Sequence, residues 1–199
     1  MNPRHIRVML MFGICLVGLI LTTAVVMLVS GRASQPGGQP VSAIGGSFRL
    51  IDQDGRTVTD QDFNGRPFLV FFGFTHCPEI CPTTLFEISE VLRKLGPDAD
   101  RTHALFITVD PEQDSPKALK DYLSSFDPHL SGLTGDADAI AAVAKAYRAI
   151  YRKVPLDQGG YTMDHTAIIY LMDKQGRFVA PFSLKRGTEA AAAELRKHL

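Results

Sequence analysis

Two cysteines four positions apart, in Cys77-Pro78-Glu79-Ile80-Cys81, are the residues best suited to chemistry in this chain of 199 residues. A thiolate is both a nucleophile and a soft metal ligand. A turn that leads into the start of a helix can bring two sulfurs close enough to form a disulfide or to share one metal ion. Two sulfurs cannot by themselves fill a tetrahedral structural zinc site, so a metal would need further donors. His76, His103 and His165 are the candidates. His76 adjoins Cys77, and neighbours in an extended segment point opposite ways. His103 opens a predicted strand, far from the motif's end of a sheet. His165 stands in Asp164-His165-Thr166, just before the apolar run Ala167-Ile168-Ile169-Tyr170. From spacing alone a lone histidine is more often a surface or satisfied core residue, so the third ligand stays open at this level. Asp164 is placed either to orient His165 or to cap a turn. Glu79 reads as solvated, and Met163 reads as packing more readily than as a thioether ligand.

The elements that must position these residues follow from local pattern. Phe48-Arg49-Leu50-Ile51 and Arg56-Thr57-Val58 flank Asp52-Gln53-Asp54-Gly55, a hairpin with glycine at the left-handed position. The apolar run Phe68-Leu69-Val70-Phe71-Phe72-Gly73-Phe74 fits a strand buried on both faces at the centre of a sheet. Pro82 suits a helix's first position. The spacing predicts a helix from near Cys81 through Leu85, Ile88, Val91, Leu92 and Leu95, stopped by Gly96-Pro97. A strand over 103–109 comes next, then a helix opened by Ser115 and Pro116 that runs to about Phe126. A short strand near Gly132-Leu133-Thr134 and an alanine-rich helix from Asp136 to Tyr147 follow. A hairpin over 166–173 and 177–182 and a last helix over 188–198 close the chain. This order predicts an α/β fold, a thioredoxin-like mixed sheet with flanking helices, with an N-terminal hairpin and one inserted helix. In a thioredoxin fold the loop before the strand that follows His165 faces the cysteine motif.

Residues 8–29 contain no charged side chain and are almost wholly apolar or small. A helix of about 20 such residues spans the hydrocarbon core of a bilayer. A cleaved signal peptide has an apolar stretch of roughly 7–15 residues, so Gly31 and Ala33 make only a weak cleavage pattern. Cys15 lacks the small residue expected before a lipid-bearing cysteine and reads as a small membrane residue. Arg4 and Arg7 precede the stretch, and Arg32 alone soon follows it, which predicts a cytoplasmic N-terminus and an exported remainder. No amphipathic, arginine-rich transit peptide precedes it, which favours a bacterial membrane over a mitochondrial one. The expected organisation is a cytoplasmic N-terminus over 1–7, one transmembrane helix over 8–30, a flexible linker over 31–46 and a thioredoxin-like domain over 47–199. A flexible tether of 16 residues reaches roughly 20–24 Å, enough to sweep the membrane surface. The chain has 21 basic and 21 acidic residues, and with Arg4, Arg7 and Arg32 outside it the domain holds 18 basic against 21 acidic, or −3. Such a surface offers no basic patch for nucleic acid. Two cysteines in an exported domain are too few for a disulfide framework, and read as redox or metal chemistry.

The segment Gly73-Phe74-Thr75-His76-Cys77-Pro78-Glu79-Ile80-Cys81-Pro82-Thr83-Thr84-Leu85 resembles the signature of the Sco/SenC family of copper chaperones. Val109-Asp110-Pro111-Glu112-Gln113-Asp114, Gly132-Leu133-Thr134-Gly135, Ala146-Tyr147-Arg148 and Asp164-His165-Thr166 resemble it too, in order. Gln113 stands where many members have arginine. The resemblance implies copper bound by Cys77, Cys81 and His165, with Cys77 and Cys81 also able to form a redox disulfide. It implies delivery to the copper-centre subunit of a terminal oxidase, with a copper donor and a thiol reductant as further partners. Thiolates plus imidazole suit Cu(I), and a low coordination number keeps the ion exchangeable. On this reading the protein is a metallochaperone with no catalytic residue assigned. A thiol–disulfide reductase acting on oxidase cysteines is the alternative, with Cys77 attacking and Cys81 resolving. Against it, the chain has no tryptophan, which redox thioredoxins place before their cysteine pair. A peroxiredoxin-like peroxidase needs threonine three residues before its cysteine. Phe74 and Pro78 occupy those positions here.

Overall fold

The computed structural model describes residues 44–199 and the three helical residues Ile20, Leu21 and Thr22. The cytoplasmic N-terminus, the expected membrane helix apart from residues 20–22, and nearly all of the linker lie outside the described residues. Among those described, no helix is long and apolar enough to cross a membrane. Residues 44–199 belong to one compact unit.

The predicted central strand is β3, Phe68–Gly73, and every residue in it is buried. It pairs in parallel with β4, His103–Thr108, and antiparallel with β8, Ile169–Met172. The hairpin β1, Arg49–Asp52, and β2, Thr57–Thr59, joins the other side of the sheet through β5, Leu130–Thr134. With β9, Phe178–Pro181, the order is β2-β1-β5-β4-β3-β8-β9, a mixed sheet of seven strands. Gly55 turns the first hairpin at φ 81° and Gly176 the last at φ 70°, where side chains are strained.

Alternation along β3 separates two cores. Phe71 packs on Phe106, and Phe106 on Tyr122, on the face that also receives Cys81. Phe72 packs on Tyr147 and Tyr170 on the opposite face. Helix α1, Ile80–Leu95, therefore shares a face with α2, Pro116–Leu123, whereas α3, Ala137–Ala146, leads into Tyr147 on the other. Helix α4, Thr188–Arg196, packs along α1. The buried stripe of α1 contains Cys81, Leu85, Ile88, Val91, Leu92 and Leu95 at three- and four-residue spacing. Pro82 falls in the first turn, where its missing N–H has no helical partner to lose. Ser115 accepts a hydrogen bond from Ala118 N at 3.2 Å and Asp136 from Ala139 N at 2.7 Å, capping α2 and α3. Helix α2 stops three residues short of the expected Phe126.

One element departs from expectation. Residues after α3 form a separate two-stranded ribbon, β6, Tyr151–Pro155, and β7, Tyr161–His165, that pairs with neither edge of the main sheet. His165, expected in a loop, is the last residue of β7 and lies opposite Tyr151. The strand after it begins at Ile169, later than the pattern 166–173 suggests.

Candidate metal centre

Cys77 lies on the short turn between β3 and α1, and its N–H donates to Phe74 O at 3.3 Å. The N–H of Cys81, in the first turn of α1, donates to Cys77 Sγ at 3.3 Å. The helix N-terminus thus meets the outer sulfur. Cys81 turns inward and is fully buried, while Cys77 is half-buried, and both are free thiols. The sheet makes room for the inner sulfur at Gly73. A Cβ there would come within 2.7 Å of Cys81 Sγ and 2.5 Å of Phe106 Cε2.

The ribbon delivers the third donor. His165 Nε2 lies 3.5 Å from Cys81 Sγ, across 84 residues of sequence. Its Nδ1 faces Thr166 O at 3.2 Å. A carbonyl only accepts, so Nδ1 carries the proton and Nε2 keeps its lone pair toward the sulfurs. The rings of Phe71 and Phe74 meet the imidazole edge to face, at 6.2 and 5.9 Å. The donor atoms of Cys77, Cys81 and His165 lie within 4.8 Å of one another. A modest contraction would place all three at the roughly 2.0–2.3 Å typical of imidazole and thiolate ligands.

Although Cys81 stands in the first turn of α1, burial pushes its thiol up, and Cys77 and Asp114 nearby add to this. Cys81 is held as a thiol, with His165 as the acceptor of its proton in the hydrogen bond. Burial lowers the His165 pKa, keeping the imidazole neutral and ligand-competent. Binding of a metal ion therefore displaces the Cys81 proton.

The other candidates fall away from the centre. His76 is exposed and meets Thr75 Oγ1. His103 packs on Phe63 at the far end of β3 and β4. Asp164 does not orient His165; it pairs with Arg152 at 2.8 Å on the exposed ribbon. Met163 is buried in the core and Glu79 is exposed.

Sequence reasoning missed the groups that hold the motif in place. Asp114 is fully buried, and it accepts from Thr75 N at 3.0 Å, Thr75 Oγ1 at 2.6 Å and Thr108 Oγ1 at 2.6 Å. It ties the cysteine turn to the end of β4. Gln113, at the family's arginine position, donates to Asp110 Oδ2 at 2.8 Å in place of an ion pair. Two carboxylates four apart after a buried strand were the available signal, but nothing in the spacing names their partners.

The SCO1/SenC family model matches residues 36–199. Among curated proteins, the bovine protein SCO2 homolog, mitochondrial, is 41% identical over 162 residues, covering 79% of this chain and 61% of that protein. The mouse protein SCO1 homolog, mitochondrial, is 41% identical over 169 residues, 81% of this chain and 59% of that one. The chain thus spans about three-fifths of the length of these relatives. Among solved structures, Bradyrhizobium japonicum ScoI with copper bound is 62% identical at a TM-score of 0.76, covering 78% of this chain and 99% of that chain. Yeast Sco1 with copper bound is 35% identical at a TM-score of 0.72, covering 78% and 87%. BsSco, described as a member of the Sco family of cytochrome c oxidase assembly proteins with a disulfide switch, shares the fold at 24% identity and a TM-score of 0.64, covering 82% and 98%. A thioredoxin-like mixed sheet, a Cys-Cys-His cluster at the end of its central strand and a match along 36–199 converge, and this chain belongs to the SCO1/SenC family.

Proposed function

We propose that the protein is a membrane-anchored copper carrier that loads Cu(I) on Cys77, Cys81 and His165 and passes it to the copper-centre subunit of a terminal oxidase. The observation that carries this reading is the approach of His165 Nε2 to the two sulfurs, with its proton fixed on Nδ1. Two thiolates and an imidazole also make one kind of open zinc site. Copper is favoured because the donors are soft and because family members of 62% and 35% identity hold copper. The site suits a cargo. Cys81 is fully buried, while Cys77 and His165, the latter with Phe71 and Phe74 against its ring, are only half-buried. An acceptor thiolate reaching the ion from the open side can replace a half-buried ligand first, and the buried Cys81 then follows as it regains a proton. Three ligands leave a coordination position for that exchange. The apolar stretch over 8–29 and the charges beside it support a span in a bacterial cytoplasmic membrane, with the copper domain on the periplasmic side.

His165 separates this reading from a thiol–disulfide reductase, which needs only the two thiols and the helix N-terminus. His165→Ala should weaken Cu(I) binding and lower oxidase assembly at limiting copper, while Cys77 and Cys81 still cycle. Wild-type copper affinity and oxidase assembly in that variant would move the assignment to the reductase.

A further inference from the structure

The loop over residues 110–114 touches both halves of the metal centre. Through Asp114 it holds the cysteine turn at Thr75. Through Asp110 it holds the ribbon, because Tyr161 Oη donates to Asp110 Oδ1 at 3.0 Å. Glu112 adds an exposed ion pair to Lys153 of β6, and the Lys153 Nζ lies 4.4 Å from the centre of the Tyr161 ring. Asp110 is 1% exposed, so its carboxylate has few other places to find donors. Among the described residues the ribbon pairs with no strand of the main sheet, yet His165 at its end must be held within reach of Cys81.

We propose that Tyr161 is a positioning residue that latches the His165 ribbon onto Asp110, and that this latch sets how fast the site releases its ion. With the latch closed, β7 holds the imidazole against the sulfurs. With it open, the ribbon can swing His165 away and leave a two-thiolate ion for an acceptor to take. The inference rests on the copper reading of the site, but on no assumption about which protein receives the ion.

Tyr161→Phe tests this, since it keeps the ring beside Lys153 and removes only Oη. Loss of one hydrogen bond to a carboxylate should speed extraction of Cu(I) by a chelator about tenfold. In the metal-free protein, backbone amides of β6 and β7 should exchange faster while those of β3 and β4 do not change. In a His165→Ala background, Tyr161→Phe should add nothing to the extraction rate, because the latch acts only through the imidazole. An unchanged release rate, or equal acceleration with and without His165, would overturn the latch while leaving copper binding standing. Absence of Cu(I) binding by the unaltered protein would instead remove the reading beneath it, and the latch with it. Faster exchange in β3 and β4 as well would mark Tyr161 as a general stabilising residue and would also overturn the proposal.

Discussion

Gly73→Ala should damage the metal centre out of proportion to its size. A Cβ at this position stands 2.7 Å from Cys81 Sγ, 2.5 Å from Phe106 Cε2 and 3.1 Å from Phe106 Cζ. Ordinary contact begins near 3.4 Å, so the sulfur must retreat by about 0.7 Å and the ring by about 0.9 Å. Neither has free space, because Cys81 and Phe106 are both fully buried. Overpacking of this kind costs about 1–3 kcal/mol. In a domain of this size each kcal/mol lowers Tm by roughly 2–4 °C. The retreat also moves Cys81 relative to His165 Nε2, from which it is now 3.5 Å. Perturbing the immediate surroundings of a ligand typically costs about 10–100-fold in metal affinity. Two measurements check this: competition for Cu(I) against a coloured chelator, and thermal unfolding of the metal-free domain. Gly73→Ala with Phe106→Leu should recover part of the Tm, since the ring is the nearer obstacle, and less of the affinity, since the sulfur is still displaced. Wild-type copper affinity in Gly73→Ala would refute the claim that the sheet is cut away here to seat the sulfur.

Three other expectations follow from the same chemistry. Cu(I) should bind the dithiol protein and not the Cys77–Cys81 disulfide, since a bridged sulfur has lost its charge and much of its donor strength; equal tight binding in titrations of both forms would place the site elsewhere. A hydrogen bond to Asp100, aided by Asp127, raises the His129 pKa above its ordinary 6.5; the stabilisation is then fully present below pH 6.5 and lost as pH rises through the folded value. The stability difference between wild type and His129→Ala should therefore be larger at pH 5.5 than at pH 8, and a difference that grows toward alkaline pH would contradict the assignment. A reporter active only in the periplasm, fused after Leu199, should be active, and cytoplasmic activity would reverse the proposed topology.

Short-range physics made much of this molecule legible in its sequence. The apolar run that became β3, the three- and four-residue spacing of α1, and the caps Ser115 and Asp136 all depend on neighbours within a few residues. So does the strand-to-helix setting of the cysteine pair. The ribbon was less legible. Tyr151-Arg152-Lys153-Val154-Pro155 mixes charge, proline and partial exposure, so no period of two stands out. Its one local signal was Gly159-Gly160, both at positive φ in the turn.

The sequence by itself therefore determined the class of fold and the setting of the two sulfurs and, through resemblance, pointed to His165 as the histidine that the fold brings beside them. Tertiary structure alone decided that Cys81 faces inward, where burial raises its thiol pKa, that Asp164 turns to Arg152 instead of to His165, and that Asp110 and Asp114 brace the two halves of the site. The reason is separation along the chain. A cap or a helical stripe is set within one or two turns, whereas Cys81 and His165 are 84 residues apart. Their approach depends on strand order, the burial of α1 and the anchoring of a ribbon outside the sheet, which no local pattern encodes.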